Sequence, residues 1–128
     1  MSKKVGGLAG ISAGETKISS AGGAHNLRYR GYSIYDLCEH ACFEEVAYLV
    51  VYGTLPTQSD LNAYQKKLKS LRDLPQALKD VLEKIPADTH PMDVLRTATS
   101  FLGNIEPENR NAATHSVDRL IAAFPAML

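Results

Sequence analysis

From Ser33 to its last residue the chain alternates between stretches with helical apolar spacing and residues that cannot continue a helix. Gly53, Pro56, Pro75, Pro86, Pro91 and Gly103 are the breaks. Proline lacks the N–H that a helix interior needs, and glycine readily takes the left-handed conformation that ends one. A fold built on this part of the chain is therefore a set of short helices. Ser33 caps a first helix to about His40, with Asp36 near the positive end of its dipole. A second covers Phe43 to Tyr52, carries Glu44 and Glu45 in its first turn and stops at Gly53. Its run from Val46 to Val51 is apolar on nearly every side, which predicts a buried helix.

Thr57 caps a third helix to about Arg72, with Asp60 at its third position. Leu61, Tyr64, Leu68 and Leu71 fall on one face. Pro75 fits the first turn of a fourth, with Leu78, Val81, Leu82 and Ile85 as its stripe and Pro86 as its end. Pro91 opens a fifth, Met92 to Leu102, closed by Gly103. A sixth starts near Asn109 to Asn111 and carries Val117, Leu120, Ile121 and Phe124. Pro125 is expected to kink it, yet apolar residues continue to Leu128 with no capping glycine, so the chain is expected to stop within a helix.

Residues 1–32 read differently. They are rich in Gly, Ala and Ser and lack helical periodicity. Thr16 to Ala21 and Leu27 to Tyr32 read as two extended stretches around a Gly22-Gly23-Ala24-His25-Asn26 turn, where Gly and Asn tolerate positive φ. The expected organisation is an arm and β-hairpin over residues 1–32, then an all-α segment over residues 33–128.

Composition narrows the function classes. Apolar residues make up 45% of the 128, enough for a core. Fourteen basic and fourteen acidic side chains balance to zero, which gives no footprint for a nucleic acid or an anionic membrane surface. No apolar run is long enough to cross a bilayer, and no apolar stretch follows Lys3 and Lys4 as a secretory signal would require. A cytoplasmic location is the expectation, with Cys38 and Cys42 as free thiols.

Few spacings carry chemistry. Gly10-Ile11-Ser12-Ala13-Gly14-Glu15-Thr16 fails as a phosphate loop, because Glu15 stands where the lysine belongs. Cys38 and Cys42 would share a helix face from which His40 diverges, and no further ligands complete a metal set. Two buried thiols and a surface imidazole are expected instead, and no metal. His90 stands at the start of the fifth helix, where free N–H groups can hold an anion, and Arg96 follows a turn and a half later. The competing reading is that His90 caps the helix and Arg96 pairs with Asp93. Arg30, between Tyr29 and Tyr32, could bind a carboxylate or could stack and fix the hairpin. His25 and His115 read as loop and surface positions.

The order of several segments carries more. Gly7-Leu8-Ala9-Gly10, Leu27-Arg28-Tyr29-Arg30-Gly31-Tyr32-Ser33-Ile34, Phe43-Glu44-Glu45-Val46-Ala47-Tyr48-Leu49, Gly53-Thr54-Leu55-Pro56-Thr57 and Ile85-Pro86-Ala87-Asp88-Thr89-His90-Pro91-Met92-Asp93-Val94-Leu95-Arg96-Thr97 follow one another. Together they resemble the N-terminal portion of the citrate synthase family, and the last resembles its 2-methylcitrate-forming branch. The resemblance runs from Gly7 to Leu128. It implies a citrate-synthase-like, multi-helical large-domain fragment of a homodimer. It also implies condensation of oxaloacetate with an acyl-CoA, propionyl-CoA or acetyl-CoA, with no cofactor. The family's catalytic aspartate and two histidines fall in later segments, so no residue here is assigned a catalytic role and the chain alone is expected to be inactive. Gln58 aligns with a position credited with substrate contact, though arginine is frequent there. His90-Pro91-Met92 matches a segment that forms an allosteric nucleotide site in some larger relatives. From another class, a non-catalytic helical interaction module is the rival reading.

Overall fold

The computed structural model describes residues 14–21, 27–107 and 113–128. The Gly22 to Asn26 turn, with His25, therefore lies outside the described residues, as do residues 10–13 of the glycine-rich stretch and the expected start of the last helix at Asn109 to Asn111. The elements are β1 (Ser19–Ala21), β2 (Leu27–Tyr29), β3 (Tyr32–Ser33), α1 (Ile34–His40), α2 (Phe43–Tyr52), α3 (Gln58–Ser70), α4 (Gln76–Leu82), α5 (Pro91–Ile105) and α6 (Ala113–Met127). The fold is mostly helical with one small sheet. No helix among the described residues is long and apolar enough to cross a membrane.

The chain forms two compact units, residues 1–54 and 55–128. The first unit ends at Thr54 and includes both the sheet and the first two helices, with α1 packed on β2 and β3. In the first unit the strands are antiparallel in the order β1-β2-β3, with Ser19 opposite Tyr29 and Tyr29 opposite Tyr32. The stretch from Leu27 to Tyr32 is thus two strands, not one. Arg30 and Gly31 both have positive φ, 50° and 92°, and turn the chain between them. Two consecutive positive-φ residues suit the right-handed twist of a tight hairpin, and only the glycine adopts that conformation without steric cost.

Local chemistry set the helix starts. The Ser33 side chain accepts from the Tyr35 N–H at α1, and Thr57 and Asp60 form a reciprocal capping box at α3. At α2 the Glu45 carboxylate accepts from the Cys42 N–H at 2.7 Å, and Gly53 ends the helix at φ 94°. Helix ends were less local. The α4 helix stops at Leu82, so Ile85 lies beyond it, and α5 runs through Gly103 to Ile105. Glycine costs a helix only about 1 kcal/mol relative to alanine, which the packing of α5 offsets. Likewise α6 passes through Pro125. In the last turn that proline removes one ladder bond, to the carbonyl four residues back.

The core lies in the second unit. Leu74, Leu78, Ala98, Leu102, Ala123 and Met127 form its buried cluster, with Leu95, Phe101, Leu120 and Phe124 packed around it. Here α5 packs on α4 and α6, and α6 packs on α3. The first unit is leaner. Contrary to the sequence expectation, α2 is not buried on every side: Leu49 is fully covered, but Phe43 is 68% exposed. Both cysteines are also exposed rather than buried. The described part of this unit holds only two short helices and three short strands, too little chain to enclose an apolar helix.

Candidate functional site

The second unit also buries charge. Asp118 on α6 is wholly buried. Its Oδ1 accepts from the Tyr64 hydroxyl at 2.9 Å, and its Oδ2 accepts from the Lys67 ammonium at 2.6 Å. Tyr64 and Lys67 are three apart on α3, so the two donors share one face of that helix. The next residue, Arg119, points about 100° further round α6. Its Nε and Nη2 donate to the two Glu106 carboxylate oxygens at 2.9 and 3.0 Å, and its Nη1 donates to the Leu71 carbonyl. Leu71 caps the C-terminal end of α3 and Glu106 caps that of α5. One two-residue step on α6 therefore ties down both neighbouring helices. The Arg119 guanidinium, hydrogen-bonded to Glu106, holds that carboxyl below its ordinary value of 4.5.

A cleft of ≈ 850 Å³ opens between α5 and α6, lined by Thr99, Leu102, Glu106, His115, Arg119 and Leu120 among others. Its guanidinium is already engaged on both edges by Glu106 and the Leu71 carbonyl. The Thr99 hydroxyl donates to the Leu95 carbonyl. The walls thus combine apolar surface with Thr99, Glu106 and Arg119, whose polar groups already have partners.

The residues singled out from the sequence occupy local roles. His90 caps α5: its Nδ1 accepts from the Met92 N–H at 3.2 Å. Arg96 pairs with Asp93 at 3.0 Å, one turn back on the same helix, and both are exposed. This is the capping arrangement weighed above against an anion site. Gln58 is the first residue of α3 and donates to the Asn62 side chain at 3.1 Å. Arg30, in the first unit, donates from Nη2 to the Val50 carbonyl at 2.8 Å. Val50 lies in the last turn of α2, where carbonyls lack intrahelical partners and the dipole favours a cation. That turn has no basic residue of its own. Arg30 thus ties the hairpin turn to α2 through a hydrogen bond.

The Cys42 thiol is not activated. Partial desolvation first, and then the Glu45 carboxylate, push the Cys42 thiol up from its ordinary 9.0. A reactive cysteine needs the opposite shift. Among the described residues no group of three or more His, Cys, Asp or Glu is placed to hold a metal.

The sequence reading missed the Asp118–Arg119 pair. Its signal was an acidic and a basic residue side by side within an apolar helix, a place where charges persist only when paired.

Comparison with known proteins defines the class. A citrate synthase from Thermotoga maritima superposes with a TM-score of 0.84 at 31% identity, over 99% of this chain and 33% of that one. A citrate synthase from Thermoplasma acidophilum, solved with carboxymethyl coenzyme A and oxaloacetate, gives 0.83 at 23% identity, over 92% of this chain and 32% of that one. The fold is that of a citrate synthase segment. Residues 7–128 match the family described as "Citrate synthase, C-terminal domain", and the chain belongs to the citrate synthase family. A 2-methylcitrate synthase from Shewanella oneidensis is 57% identical over 124 residues, which are 95% of this chain and 33% of that protein. The chain spans about a third of the length of the relatives it matches.

Proposed function

We propose that this chain is the N-terminal part of the large domain of a 2-methylcitrate synthase. Such an enzyme condenses propionyl-CoA with oxaloacetate and hydrolyses the thioester, giving 2-methylcitrate and CoA. The observation that carries this reading is the 57% identity to the Shewanella oneidensis enzyme over nearly the whole chain. In the family an aspartate takes a proton from the acyl α-carbon while histidines stabilise the enol and polarise the oxaloacetate carbonyl, which is acid–base catalysis with electrostatic help. The resemblance assigns none of these three groups to a position here, so the 128 residues by themselves are inactive. Their part is structural: the Leu74–Met127 core and the Asp118–Arg119 pair hold the helices on which a site is built. The working enzyme is a cytoplasmic homodimer that needs no cofactor, with acyl-CoA as substrate. Gln58 is the substrate-contact position carried over from the family.

A chimera tests this directly. These residues replace their counterpart in the Shewanella oneidensis enzyme, and CoA release is followed with propionyl-CoA and with acetyl-CoA. Oxaloacetate-dependent turnover that favours propionyl-CoA is the expected outcome. A folded chimera that favours acetyl-CoA would support the second reading, an acetyl-CoA-using citrate synthase, which the structural likeness to the Thermotoga maritima enzyme favours. The isolated chain should release no CoA above background, after correction for the exposed Cys38 and Cys42 thiols.

A further inference from the structure

We draw no further inference here: the strongest candidate, the apolar groove between α5 and α6 lined by Met92, Leu95, Thr99 and Phe124, is an open helix face, and nothing in the structure shows what covers it.

Discussion

The two compact units are made from the same kinds of residue but are held together differently. Among the described part of residues 1–54 the buried apolar residues are Leu37 and Leu49, while Tyr35, Phe43 and Tyr52 keep much of their surface exposed. In residues 55–128 a continuous cluster runs from Leu74 to Met127 and is flanked by a buried carboxylate and a guanidinium with their partners. The first unit relies on local devices: a hairpin turn, two helix caps and the Arg30 bond to the end of α2. The second relies on side chains brought together across more than fifty positions of sequence, such as Tyr64 and Asp118. Local devices each contribute on the order of 1 kcal/mol, whereas each large apolar side chain enclosed in a buried cluster adds more than that. Disturbing the second unit should therefore cost more.

Arg119→Ala should have the largest effect, about 3 kcal/mol, because it removes two charge-assisted hydrogen bonds to Glu106, takes the donor from the Leu71 carbonyl and empties the space of a buried side chain. A denaturant midpoint checks it, and a loss below about 1 kcal/mol would mean that the α6 ties are dispensable. Leu78→Ala should follow, at about 3 kcal/mol, since Leu78 is fully enclosed in the cluster and its loss leaves a cavity.

The Glu106–Arg119 pair gives stability a sign with pH. The folded-state pKa of Glu106 is depressed, so its contribution is present above the ordinary carboxyl value of 4.5 and is lost as pH falls through the lower folded value. Thermal melts from neutral pH downward should show a decline in acid that Glu106→Gln flattens. An unchanged slope in that variant would assign the acid sensitivity to other carboxylates. Asp73 is one, since its hydrogen bond to Lys79 lowers it too, but it lies on the surface and is screened.

The smallest change belongs to the first unit. Gly53→Ala should cost about 1 kcal/mol, from the positive φ alone, because an added Cβ there meets nothing within 4 Å. If it cost as much as Leu78→Ala, the contrast between the units would fail.

Much of the helix plan was legible because a helix start is a short-range event. Ser33, Thr57 with Asp60, and His90 before Pro91 each sit within three residues of the N–H they serve. The left-handed stop at Gly53 was legible for the same reason. The end of α5 was not, because the packing of that helix decides whether Gly103 ends it. The exposure of Cys38 and Cys42 was not legible either, since burial depends on which elements surround a residue rather than on its own chemistry.

The site shows the same division. His90 and Arg96 could be placed on one helix from the sequence, together with Asp93 as the competing partner for the arginine. Family membership followed from the order of short motifs, and comparison supports it over residues 7–128. What the sequence could not provide was the meaning of Asp118 and Arg119. Two charged residues in an apolar helix are a liability until partners are known, and their partners Tyr64, Lys67, Leu71 and Glu106 come from two other helices. By itself the sequence determined where helices begin, which faces are apolar and which family the chain joins, because these depend on neighbours a few residues apart. Only the tertiary structure decided which charges are buried and what neutralises them, because a buried ion pair is a long-range contact with no local signature.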